Sequence, residues 1–423
     1  MAAVQNLQGL IGIAAILLLA WGLSEDRKAR PGWRWIGGAL GLQLVLALVV
    51  TQVPLVWAVV GYANKAVSAI EAATLVGSSY MFGYTGGAPI PFLLKPGAEP
   101  PVIVAFQILP LIITFSALSA LLWYWGVLRL AVRGLSFALQ RTLGVNGVVG
   151  LAGGATMFLG VVESPLVLRA WLGRMNRSDL FAAMVLIMGT ISGAILVLYA
   201  TTLSKTVPDA VGHMIVASLI SLPAAVLVAR LMVPGSGQAE GDAAKAEPDL
   251  HYESSMDAVI RGTMEGVTLV LAVIGIIIVV FALVNLADQA LALLPFVDGA
   301  PLSLRRMLGW VFAPAMWAIG VPWDQAPAAG ALMGTKAILN EYVAYLDLAA
   351  MPAGSLDPRS LLIVTYALCG VANLASVGLI VSTIATLCPE RRAEVAGLGM
   401  KSWLAGNMVS LMTGAVIGLV SWA

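Results

Sequence analysis

Two stretches of this chain set ionisable and amide side chains inside runs of apolar residues. The first, Gly334 to Gly378, opens with GTKAILNEYVAY and closes with ALCGVANLASVG, and it carries Lys336, Asn340, Glu341, Asn373 and Ser376. The second, GGATMFLGVVESP from Gly153 to Pro165, carries Glu163. A carboxylate at bilayer depth costs roughly 2.5–3.5 kcal/mol on insertion scales. Polar groups at that depth persist only against protein, water or a ligand. Glu341 supplies acceptors, and an unwound helix end beside it would supply free N–H donors, a combination suited to the hydroxyls of a sugar. Asn373 offers donor and acceptor together and stands three residues from Ser376, on one face of a Gly-broken helix. Plainer roles compete with these. Glu341 could pair with Lys336, although a spacing of five suits that poorly. Asn373 and Ser376 could join helices. Glu163 could bind solute, carry a proton or pair with Arg169. Asp324, in the turn signal GVPWDQAPAAG, reads as a solvated cap.

These groups need a membrane around them. Of 423 residues, 60% are hydrophobic and 11% charged, with a mean hydropathy of +0.94. No soluble domain of that length hides so much apolar surface, so the expectation is an all-α polytopic membrane protein. A formal net charge of +1 gives no field for nucleic acid. Cys369 and Cys388 form neither a disulfide framework nor a metal motif. His213 and His251, in or near loops, lie far in sequence from both acids, so no catalytic constellation points to an enzyme. Trp33, Trp35, Trp123, Trp125 and Trp403 read as an interfacial belt.

The apolar runs and basic flanks give about eight transmembrane helices: 7–23, 35–60, 102–127, 180–203, 214–233, 267–287, 361–387 and 403–420. Arg27, Lys28, Arg30 and Arg34 mark the cytoplasmic side and place both termini outside. Residues 61–100 read as an interfacial helix followed by a Gly/Pro loop. The segment 146–168 has arginines on both flanks, which predicts a hairpin that enters and returns on one side. A second hairpin is predicted within 301–348, with arms at 308–319 and 328–345. Hairpin, span, span therefore occurs twice with opposite entry sides, an inverted repeat with broken helices at GTISG and CGVANLASVG. The corresponding blocks are 1–145 (N-terminal scaffold), 146–233 (first transport repeat), 234–300 (linker and a scaffold span) and 301–423 (second transport repeat).

The segments GTKAILNEYVAYLDL, YALCGVANLASVGLIVSTIATLCPERR and MFLGVVESPLVLRAWLGRMNRSDL resemble the concentrative nucleoside transporters, a family of sodium- or proton-coupled nucleoside symporters. The likeness runs from about Pro101 to the end. It implies a homotrimer in a bacterial inner membrane, each protomer importing nucleosides through its own site. It implies that Glu341, Asn373 and Ser376 hold ribose hydroxyls and that Glu163 assists through water. Where the family places a Gln and a Thr or Ser toward the base, this chain has Val161 and Val162, and an aromatic that touches the base is replaced by Val371. Losing an amide and a hydroxyl removes the groups that offset desolvation of a polar base edge. An altered base selectivity, or another sugar-bearing solute, is expected; a non-transporting receptor of the same fold is the rival. The resemblance also implies a sodium site at the Thr156 and Thr190 hydroxyls with the Leu159 and Ile191 carbonyls. A proton on Glu163 or Glu341 is the competing coupling ion.

Overall fold

The computed structural model describes residues 2–29, 31–94, 102–235, 251–297 and 299–421, which are almost entirely helical and hold no strand beyond a lone bridge between Val297 and Ala300. The N-terminal part comprises α1 (Ala2–Gly22), α2 (Trp33–Gln52), α3 (Pro54–Phe82), α4 (Val104–Gln107) and α5 (Pro110–Tyr124). The span expected to reach residue 60 stops at Gln52, because Pro54 removes a backbone donor and starts the long helix α3 instead.

The first hairpin lies earlier than 146–168. It consists of α6 (Val127–Leu143) and α7 (Gly147–Thr156), which turn back on each other around Gly144–Asn146. Buried Leu128, Val132, Ser136, Leu139 and Leu143 form one stripe along α6, so Arg129, Arg133 and Arg141 belong to an amphipathic arm and not to a flanking loop. Glycines let the arms touch: a Cβ at Gly154 would stand 2.6 Å from the Val132 carbonyl oxygen. Asn146 caps α7 through Val149 N–H (2.9 Å) and donates to Asp179 (2.6 Å), which is itself paired with buried Arg230 (2.6 Å). Glu163-Ser164-Pro165 is not a hairpin tip. It restarts the chain as α8 (Glu163–Val167), followed by α9 (Arg169–Leu172).

The remaining elements are α10 (Arg177–Gly189), α11 (Gly193–Leu203), α12 (Ala210–Met232), α13 (Ser255–Leu291), α14 (Leu304–Ala318), α15 (Ala326–Gly334), a π-helical turn Thr335–Leu339, α16 (Glu341–Ala350), α17 (Pro358–Ala367), α18 (Leu374–Leu387) and α19 (Arg392–Val420). The second hairpin, α14 and α15, falls where the turn signal placed it, with a Cβ at Gly330 only 2.5 Å from the Gly309 carbonyl oxygen. Most of the polar stretch 235–257 lies outside the described residues.

One order of parts therefore occurs twice: a hairpin, an unwound stretch, a short helix begun by Glu, a broken helix, a long helix. The breaks at Thr190–Ser192 and Leu368–Asn373 meet, with Val371 N–H reaching Thr190 O at 3.4 Å. Gly370 sits there at φ +146, and a Cβ would press on the Met188 and Gly189 carbonyls at 3.3 Å. Among the described residues six stretches are long and apolar enough to cross a membrane (33–52, 104–124, 177–203, 210–232, 255–291, 389–420), while 8–22, 147–156 and 374–387 are shorter apolar helices. Helices α1 and α2 lie against α12 and α19, whereas α5 pairs with α13 through Gly262 and Gly266, which bring the α5 backbone close. His213 is on α12, its Nδ1 3.0 Å from the Tyr366 hydroxyl, and not in a loop.

Candidate functional site

A cavity of about 490 Å³ opens between the α5–α13 pair and the two sets of broken elements. Its wall includes Glu163, Val161, Val162, Thr156, Leu159, Thr190, Glu341, Val371, Asn373 and Ser376. Ile191 is buried next to Thr190 and is not on that wall.

Glu341 reaches the cavity because the backbone is unwound before it. The π-helical turn ends at Asn340, which is extended (φ −165, ψ 143) and caps α16 by accepting from Tyr342 N–H at 2.8 Å. Glu341 is 6% exposed, and both of its oxygens are engaged by neutral donors. Tyr199 Oη donates to Oε1 at 2.6 Å, and Asn373 Nδ2 donates to Oε2 at 2.5 Å. A carboxylate has about four acceptor sites, so about two remain for a solute. Asn373 and Ser376 do not share a helix face as their spacing suggested. Asn373 is the N-cap of α18, and its Oδ1 accepts Ser376 N–H at 2.8 Å. Lys336 is not paired with Glu341. It is fully buried and donates to Asn407 Oδ1 (2.9 Å) and Ser410 Oγ (3.0 Å) of α19.

Glu163 begins α8 as Glu341 begins α16. Its carboxylate folds back onto the preceding turn, where a Cβ on Gly160 would collide with Oε2. Val161, Val162 and Val371 also line the cavity, as do Phe158 and Leu269. Thr156 and Thr190 donate their hydroxyl protons backward to Gly153 O (3.1 Å) and Leu186 O (2.8 Å), which leaves oxygen lone pairs as acceptors. The Leu159 carbonyl already accepts from Ser164 Oγ at 3.2 Å.

Several lining groups gave no sequence signal. Tyr199 is a single tyrosine in an aliphatic helix, with nothing in its neighbours to mark it. Trp123 is 1% exposed and lines the cavity, and Trp403 donates to Ala337 O at 2.8 Å. Trp33 and Trp125 are exposed. Ser116 and Ser119 of α5, Glu265 of α13 and Tyr252 also line the cavity.

Polar groups gathered at the breaks of crossing helices, within a bundle of apolar ones, define a secondary transporter. Family models for the Na+-dependent nucleoside transporter N-terminus and C-terminus match residues 11–85 and 213–418, and a nucleoside-recognition Gate model matches 105–206. The chain is 30% identical over 419 residues to Escherichia coli (strain K12) NupX, a nucleoside permease by provisional assignment, covering 97% of this chain and 98% of that one. It is 28% identical to the nucleoside permease NupC of Helicobacter pylori (strain ATCC 700392 / 26695) over 430 residues, 98% and 97% of the two chains. The structure of CNTnw in an inward-facing substrate-bound state matches with a TM-score of 0.89 at 32% identity, covering 99% of this chain and 98% of that one. The chain belongs to the Na+-dependent nucleoside transporter family, a family of transporters and not of enzymes.

Proposed function

We propose that this protein is a symporter that imports nucleosides or nucleoside-like ribosyl solutes, with a base selectivity of its own. The observation that carries this is the convergence of Glu341, Asn373 and Ser376 on one cavity that also holds Glu163. Glu341 accepts from ribose hydroxyls through its remaining lone pairs, while the Asn373 amide and the Ser376 hydroxyl give and accept beside it. The base lies against Val161, Val162 and Val371, which reward apolar contact and leave a polar base edge without partners. The favoured solutes therefore carry a less polar or modified base.

Coupling to Na+ is supported by membership of the Na+-dependent nucleoside transporter family and by the oxygen lone pairs of Thr156 and Thr190, with the Leu159 and Ile191 carbonyls as further donors. A proton carried by Glu163 or Glu341 is the alternative. The protein works as a homotrimer in a bacterial inner membrane with both termini outside, the α6–α7 and α14–α15 hairpins each entering from one side.

Purified protein in liposomes, given a panel of labelled nucleosides under Na+, proton or no gradient, tests this reading. Saturable uptake driven by one gradient, and lost by at least about 10-fold in Glu341→Gln, is the expected result. Binding without uptake would show a receptor. Unchanged uptake of every ribosyl solute in Glu341→Gln would remove the site assignment.

A further inference from the structure

Lys336 is a buried charge for which the solute-binding geometry has no use. It sits in the π-helical turn with no exposed surface, and both of its hydrogen-bond partners are neutral. Those partners reach the second break. Ser410 Oγ lies 3.3 Å from Cys369 O, and Asn407 Nδ2 donates to Ala372 O at 3.0 Å. Trp403, a turn away on α19, bonds to Ala337 O next to Lys336. One ammonium thus gathers the hairpin end, α19 and the break that presents Asn373.

The first repeat has the same parts without the charge. Between the start of α7 and Pro165 the sequence GVVGLAGGATMFLGVVESP contains no Lys or Arg. Thr156 at that hairpin's end and Thr190 at the break both line the cavity, and both are neutral. Each repeat nevertheless begins a helix with a glutamate on the cavity. A carboxylate withdrawn from water without compensating charge is costly; Glu341 is buried and Glu163 half-buried. In the second repeat Lys336, five residues from Glu341, supplies a positive charge inside the same body without occupying the carboxylate's oxygens. In the first repeat no Lys or Arg lies between the start of α7 and Glu163 to do so.

We propose that the Lys336 ammonium is a built-in cation: it fills, in the second repeat, the role for which the first repeat recruits its coupling cation from solution. Lys336 is on this view a positioning residue. It keeps Glu341 charged and its lone pairs free for solute, and it holds the 369–373 break open through Asn407 and Ser410. The inference rests on the solute-site reading of Glu341.

The test compares wild-type protein with Lys336→Ala and Lys336→Met in liposomes, using a nucleoside that the wild type transports. Loss of the charge is expected to lower uptake about 100-fold in both variants. Ethylammonium should restore Lys336→Ala at least about 10-fold, because it refills the vacated ammonium position, and should leave Lys336→Met and the wild type unchanged. Restoration of Lys336→Ala by high Na+ with a steeper cation dependence would also support the proposal, since a second solution cation would have taken the place. Wild-type rates in Lys336→Met would overturn it. So would a Lys336→Ala protein that melts like wild type, is inactive and responds to no cation. Where Lys336→Ala does not fold, Lys336→Met decides: folded and inactive supports the role, active refutes it. A wild type that moves no nucleoside would instead refute the transport reading.

Discussion

Tyr199→Phe isolates one contact of the central carboxylate. The change deletes a single oxygen, and the ring keeps its packing, 4.7 Å from the Tyr345 centroid and stacked at 14° on Tyr342. What disappears is the 2.6 Å hydrogen bond to Glu341 Oε1. A hydrogen bond to a charged acceptor is worth about 1.5–3 kcal/mol. With Asn373 as the one remaining donor to Glu341, the carboxylate can rotate about that contact and lose the alignment a bound sugar needs. Binding that must restore the alignment forfeits at least part of the energy. A loss of about 1.4 kcal/mol, or about 10-fold in affinity, is the expected lower bound.

The measurement is a calorimetric titration of nucleoside into detergent-purified Tyr199→Phe and wild type, with a thermal melt of each to separate affinity from stability. Weaker binding with a melting temperature near that of the wild type supports the orienting role. Tighter binding would refute it. That outcome would mean that a solute hydroxyl displaces the tyrosine, so that the free protein had been losing a bond on binding which the variant no longer has to break.

Val161→Gln combined with Val162→Thr should raise uptake of nucleosides with polar base edges about 10-fold, because an amide and a hydroxyl again partner that edge; no gain in competition assays would place the base elsewhere. Glu25 sits in the loop between α1 and α2, hydrogen-bonded to Arg177 (2.8 and 2.9 Å) and Lys401 (2.7 Å), and these bonds lower its pKa from 4.5 to about 2. Its folded-state pKa is depressed, so its contribution to stability is complete above about 4.5 and is lost as pH falls toward 2. Thermal melts across that window should decline more steeply in wild type than in Glu25→Gln, and parallel curves would show that the cluster contributes nothing. Gly370→Ala should destabilise by about 1–3 kcal/mol, since φ +146 disfavours a side chain and Ser410 Oγ stands 2.7 Å from the new Cβ; a melting temperature equal to wild type would refute that strain.

What the sequence shows about a membrane protein is depth more than partnership. Glu341, Asn373 and Glu163 stand out because ionised and amide groups are costly in hydrocarbon, and they do share one cavity. The second hairpin is legible because GVPWDQAPAAG stops a helix wherever it occurs. The first is misplaced because α6 carries three arginines off the buried stripe of an amphipathic arm, and a charge count cannot tell such an arm from a loop. Tyr199 and Trp123 are hidden for the opposite reason: aromatic residues cost little in a membrane, so nothing in their neighbourhood shows that one bonds a carboxylate and the other walls a cavity.

The coupling between the repeats was also beyond reach of the sequence, because it runs through backbone. Thr190 turns its hydroxyl toward Leu186, while its carbonyl accepts the Val371 N–H. Val371 is two residues from Asn373, which holds Glu341, which in turn holds Tyr199 on α11, beyond the break that Thr190 begins. These contacts close a ring through both broken helices and both repeats. A cation that drew on the Thr190 oxygens and a solute that drew on Asn373 would therefore pull on one hydrogen-bonded circuit. The binding of one is then expected to depend on the other.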